Sequence, residues 1–127
     1  MLIPDDVRTQ LIEHAEAERP NEACGLIVLR EGTAIDYRPG ENLDASPYRF
    51  RLKPGSPDDV YLEDEGFELA LFHSHIEAPP RPSRTDAEMS DLWPHRPWVI
   101  LSLKTGELAA WRIDDGRIER VELAVGR

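Results

Sequence analysis

Residues 67–86 read FELALFHSHIEAPPRPSRTD. The first nine form an apolar run of strand length that ends in two histidines one residue apart. Side chains alternate faces along a strand, so His73 and His75 project from the same face, their Cα atoms about 6.5–7 Å apart. Imidazoles leaning inward from such positions bring their nitrogens to a little over ~3 Å, as two Zn–N bonds of about 2.0–2.1 Å require. The strand cannot supply a third ligand from that face without leaving the metal, so the chain must turn and return. Pro79, Pro80 and Pro82 restrict the intervening loop and lower the entropy lost when it is fixed. Asp86, eleven positions after His75, can then supply an oxygen. His–His–Asp leaves the fourth position to water, the layout of a catalytic rather than a structural zinc.

A purely structural reading competes at the far end of the stretch. Ser83-Arg84-Thr85-Asp86 is a Ser-x-x-Asp helix start, with Ser83 as N-cap and Asp86 at N3. That accounts for a helix over 85–93 but not for the histidine pair upstream. The other histidines do not compete as ligands: His14 falls within the first helix, and His95 lies in the Pro-bounded turn WPHRP.

Moving outward, residues 4–19 have helical periodicity, with Val7, Leu11, Ile12 and Ala15 on one face, Pro4 in the first turn and Pro20 past the end. ACGLIVL is a continuous apolar strand, turned back by Glu31–Gly32 into REGTAIDY as a hairpin. YRFRL (48–52) alternates as a short strand, whereas PGSPDDVYLEDEG reads as a loop with one helical turn. Three further strands, WVILSL, ELAAWRI and RIERVELAV, are joined at Thr105–Gly106 and Asp115–Gly116. Helices among mostly antiparallel strands give an α+β class, a mixed curved sheet flanked by helices.

The 127 residues are expected to form one domain, 1–127, large enough to hold a core without disulfides. The lone Cys24 suits a reducing compartment, and the N-terminus has neither the basic nor the apolar region of a signal peptide. Apolar runs of five or six residues fall far short of the roughly 20 needed to span a membrane, so a cytoplasmic protein is expected. A net charge of −10 argues against nucleic acid. Arg49, Arg51 and Lys53 would share one strand face, either as a solvated surface or as a docking stripe for an acidic partner.

Hydrolysis at such a metal needs a base for water and an acid for the leaving group, and one carboxylate can serve as both in turn. Glu22, immediately before the buried strand in PNEACGLIV, is the candidate. Together with His-Ser-His, seven residues, Ser and x-x-Asp, it resembles the JAMM (MPN-plus) metallopeptidase signature, filled here by Glu22, His73, His75, Ser83 and Asp86. The likeness covers nearly the whole chain and is to the compact prokaryotic members. One departure is Ile76, where many members have proline, which alters loop rigidity but removes no chemical group.

The resemblance implies a zinc hydrolase of amide or isopeptide bonds with one Zn²⁺ per chain. His73, His75 and Asp86 would hold the metal, Glu22 would act as general base and acid on the zinc-bound water, and Ser83 would donate to the oxyanion. It also implies a substrate, a ubiquitin-like sulfur-carrier protein whose Gly-Gly tail threads a narrow site; the leaving group stays open among cysteine, a peptide and a lysine-linked protein. Cys24 is expected to be a core residue rather than a ligand or nucleophile. The alternative is a non-catalytic MPN module that binds or scaffolds a partner. Deaminase chemistry is excluded because the H-x-E…P-C-x-x-C pattern is absent.

Overall fold

The strand Cys24–Arg30 (β2) is buried at every position but its last, as a strand covered on both faces must be. In a computed structural model describing residues 1–126, it lies near the middle of a mixed sheet. Glu31 and Gly32, with φ of +50° and +79°, turn it into β3 (Thr33–Asn42) with the backbone of a tight hairpin. On its other side it runs antiparallel to β5 (Glu68–His75), with Cys24 opposite His73. Gly25 makes this crowding possible, because a Cβ there would stand 2.6 Å from the Arg38 carbonyl oxygen.

β5 is parallel to β6 (Trp98–Ser102), and β7 (Leu108–Asp114) and β8 (Arg117–Val121) continue antiparallel to that edge. At the opposite edge, β1 (Leu2–Ile3) pairs in parallel with β3 and with β9 (Ala124–Val125). β4 (Leu52–Pro54) pairs with the end of β3. The α+β class with a mixed, largely antiparallel sheet is therefore as the sequence indicates.

Helix α1 (Asp5–Glu18) covers one face with Val7, Leu11 and Ala15, packed in a cluster with Ile27, Phe72, Val99 and Leu101. The other face holds Leu26, Val28, Leu69, Leu71 and Trp98, closed by Phe50 and Leu52. Alternation along β5 thus sends Ala70 and Phe72 toward α1, and sends Leu69, Leu71 and both histidines to the Phe50 side.

Three expectations need correction. Residues 48–51 are not a strand, although exposed and buried side chains alternate from Arg49 to Leu52 as a strand's would. Their backbone groups are taken elsewhere: Arg49 O and Arg51 N bond the Asn42 side chain, and Arg51 O accepts from Leu43 N. The 54–66 segment contains a nine-residue 3-10 helix, Pro57–Glu65, closed by a Ser56–Asp59 capping box and by Gly66 at φ +94°. RIERVELAV divides into β8 and β9, which lie at opposite ends of the sheet. The expected helix appears as α2 (Arg84–Met89), followed by a 3-10 turn, Ser90–Leu92.

Candidate metal centre

His73 and His75 leave the C-terminal end of β5 on one face, and the chain then loops through 76–83 into α2. Prolines offer no N–H, so this loop presents mainly carbonyls. Three in succession are held by neighbouring donors: Ser102 Oγ to Ala78 O (2.8 Å), His75 Nδ1 to Pro79 O (2.8 Å) and Trp111 Nε1 to Pro80 O (2.9 Å). The loop thus delivers Ser83 as the N-cap of α2. Ser83 Oγ accepts from Asp86 N at 3.1 Å while Asp86 Oδ2 accepts from Ser83 N at 2.9 Å.

The same Asp86 Oδ2 lies 3.1 Å from His73 Nε2 and 3.1 Å from His75 Nε2, and the two Nε2 atoms are 3.1 Å apart. With the Glu22 carboxylate, these ligand-type atoms all fall within 4.8 Å of one another, and every one of the four residues is buried. Ligands of a tetrahedral zinc with bonds of about 2.0–2.1 Å stand about 3.3–3.4 Å apart. The triangle therefore fits such an ion after shifts of a few tenths of an ångström. The donation from Nδ1 to Pro79 fixes the His75 tautomer, leaving its Nε2 lone pair turned into the triangle.

His73 is held differently. Its Nδ1 is buried and has no hydrogen-bond partner among the described residues. Its ring stacks on Phe50, with centroids 4.3 Å apart and planes at 22°, and meets Trp98 edge-on at 5.6 Å. Aromatic packing orients this imidazole, where a hydrogen bond orients the other.

The electrostatics separate the two carboxylates. Burial alone would raise Asp86, but His73, His75 and the Ser83 N–H outweigh it and hold the carboxyl well below the usual range. Burial pushes His73 down. Glu22 has no such compensation: burial first, then the charge on Asp86, push it to about 9. Its Oε1 is buried and has no partner among the described residues. A cation in the triangle would reverse that, favouring the ionised form.

Beside the cluster opens a groove of about 610 Å³, walled by Pro20, Pro47, Tyr48, Ile76 and Ala78, with Glu22, His75 and Ser83 also lining it. Tyr48 is 80 % exposed there, a large apolar face turned to solvent beside a polar floor. The 3-10 helix Pro57–Glu65 lines none of this groove.

All five residues singled out in the sequence thus meet at one place. His14 pairs instead with Tyr37 Oη at 2.6 Å, and His95 sits exposed in its turn. Cys24 is fully buried, its thiol pushed up to about 12 by burial and then by the charges of Glu22, Glu18 and Glu41. Sequence reasoning missed Asn42, Phe50 and the Pro79 carbonyl. Phe50 carried a signal, an aromatic flanked by arginines, whereas a main-chain carbonyl carries none.

The chain matches the family profile of prokaryotic homologs of the JAB domain over residues 4–114. It is 31 % identical, over 93 % of its length and 86 % of the relative's, to the CysO-cysteine peptidase of Mycobacterium tuberculosis. To the desampylase of Pyrococcus furiosus it is 33 % identical over 82 % of this chain and 76 % of that one. A solved JAB1/MPN domain protein from Archaeoglobus fulgidus superposes with a TM-score of 0.65 at 18 % identity, covering both chains completely, which shows a shared fold. A buried His–His–Asp–Glu cluster on that fold, with relatives this close, leads to one assignment: the chain belongs to the compact prokaryotic JAMM family and is a hydrolase of that type.

Proposed function

We propose that the chain is a zinc peptidase that cuts the amide bond after the C-terminal Gly-Gly of a ubiquitin-like carrier protein. The observation that carries this reading is the 3.1 Å triangle of His73 Nε2, His75 Nε2 and Asp86 Oδ2, with the unpartnered Glu22 carboxylate beside it. One Zn²⁺ held by the three would polarise the scissile carbonyl and acidify water next to it.

Glu22 takes a proton from the attacking water as its oxygen bonds the carbonyl carbon. It then delivers that proton to the nitrogen as the C–N bond breaks. Burial raises the proton affinity of Glu22 and so favours the first transfer, whereas a cation held beside it would lower that affinity and favour release of the proton to the nitrogen. Ser83 Oγ accepts from Asp86 N with one lone pair and keeps its hydrogen for the carbonyl oxygen as negative charge grows there.

The names of the relatives, a CysO-cysteine peptidase and a desampylase, support a ubiquitin-like substrate. An extended glycine tail suits the groove between Tyr48 and Ile76, because it brings no Cβ to the floor formed by Glu22, His75 and Ser83.

The test uses the ubiquitin-like carriers encoded in the same genome, each extended past Gly-Gly, incubated with zinc-loaded protein and read by intact mass. Wild type is expected to trim one of them at Gly-Gly. Glu22→Gln should bind zinc equally and lose about 10²–10⁴ in rate, the typical worth of general acid–base catalysis. No trimming of any carrier by zinc-loaded protein would refute the carrier assignment. Purification without stoichiometric zinc, and failure to take it up, would point instead to a binding module.

A further inference from the structure

Asn42 ends β3, one strand away from the cluster, yet its carboxamide spends all four hydrogen-bonding valences on main chain. Nδ2 donates to Glu22 O at 3.0 Å and to Arg49 O at 3.0 Å. Oδ1 accepts from Asp44 N at 3.1 Å and from Arg51 N at 3.1 Å. Two carbonyls face one end of the group and two N–H groups face the other, so the amide fits only one way round.

The segment that Asn42 gathers, 43–51, returns to the same glutamate. Ser46 O accepts from Glu22 N at 2.8 Å. The main chain of Glu22 is therefore gripped at both ends, its N–H by Ser46 and its C=O by Asn42. The next residue is clamped as well: Ala23 N donates to Ser74 Oγ at 2.9 Å, and Ser74 N to Ala23 O at 3.0 Å. The Glu22 side chain is the opposite case, since its buried Oε1 meets no partner among the described residues. Its carboxylate is aimed by the backbone beneath it rather than by any bond of its own.

We propose that Asn42 is a positioning residue for Glu22, fixing the glutamate's main chain and the 43–51 segment as one unit so that the carboxylate faces the metal triangle. The inference rests on the reading of Glu22 as the proton carrier. Asn42 bonds neither the histidines nor Asp86. Its one link to the metal side is Phe50, which stacks on His73 from the segment Asn42 holds, so loss of Asn42 should misplace the base first and disturb the metal little. A misplacement of about 1 Å is enough to cost on the order of 10²-fold in a reaction that depends on alignment.

Asn42→Asp separates the two halves of the network. It keeps the acceptors that shape the 42–51 turn and removes the donors to Glu22 and Arg49. Asn42→Ser, uncharged and too short to reach both carbonyls, controls for the added charge and replaces the Asp variant if that one does not fold. On a carrier extended past Gly-Gly, both variants are expected to lose about 10–10² in kcat, with a smaller rise in KM because Pro47 and Tyr48 of the same segment wall the groove. Zinc affinity by chelator competition should match wild type. The decisive readout is the kcat cycle with Glu22→Gln: once the base is gone, either change at Asn42 should cost nothing further in kcat.

A variant that keeps kcat within about twofold, beside an inactive Glu22→Gln, overturns the positioning role and leaves the base assignment standing. So does a full additional loss on the Glu22→Gln background, or a loss of zinc affinity that accounts for the rate. Glu22→Gln with wild-type activity would instead remove the reading on which the inference rests.

Discussion

The molecule contains the same capping box twice. Ser56-Pro-Asp-Asp59 opens the 3-10 helix Pro57–Glu65, and Ser83-Arg-Thr-Asp86 opens α2. In both, the aspartate accepts from the serine N–H and is buried. They differ in what the second job of the aspartate is. Asp59 meets the Arg38 guanidinium at 3.2 Å, a permanent cation that it shares with Asp36. Asp86 meets two imidazoles, one of them fixed in its tautomer by Pro79 and both with Nε2 turned inward. The local motif is the same; one copy is electrically closed by protein, and the other is built to be closed by something added.

The sharpest way to break that comparison is to remove each aspartate. Asp86→Ala is expected to abolish zinc binding and all measurable cleavage, whereas Asp59→Ala should keep both while lowering the melting temperature. Metal analysis and intact-mass turnover on the two variants decide it, and zinc loss in Asp59→Ala would erase the distinction. The serines give the next largest contrast. Ser56→Ala and Ser83→Ala should each cost about 1 kcal/mol in denaturant unfolding as caps. Ser83→Ala alone should also lose about 10²–10³ in kcat, the worth of an oxyanion donor. Equal rates in the two variants would leave Ser83 as a cap and nothing more.

The remaining contrast, which leaves turnover aside and concerns stability alone, is in pH. Glu22 is raised from an ordinary 4.5 to about 9 in the metal-free site, so the folded state binds its proton more tightly than the unfolded chain does. Stability from this group is intact below about 4.5 and declines as pH rises toward about 9, with a slope of at most ~1.4 kcal/mol per pH unit. Asp86, held low, has the opposite sign: its contribution is present above the ordinary aspartate range and is lost in acid. Thermal unfolding of the metal-free protein should therefore soften from pH 5 to 9. Glu22→Gln should flatten that decline, and added zinc should mask it. An unchanged slope in Glu22→Gln would show that other groups set it.

Much of this was legible in the chain because it is written in local spacing. Period-two alternation put His73 and His75 on one face, and Ser-x-x-Asp fixed the start of α2 independently of any metal. The Glu31–Gly32 and Asp115–Gly116 turns, all four residues at positive φ, were equally readable. What escaped depends on partners distant in sequence. Residues 48–52 have a strand's alternation, yet a single side chain, Asn42, intercepts the backbone groups that a neighbouring strand would have used. The role of Phe50 against His73 needs two segments to be packed before it exists. Segment 54–66 reads as irregular because a 3-10 helix has no 3.6-residue stripe to betray it.

Cys24 has a practical consequence. The only thiol of the chain, on the central strand β2, is fully buried and pushed to about 12, so at neutral pH almost none of it is the thiolate that attacks maleimides or iodoacetamides. The wild-type protein is thereby a blank background for thiol-directed labelling. A cysteine placed at the exposed Tyr48 would carry a fluorophore or spin label on the lip of the groove, and would report on its filling without any native cysteine first having to be removed.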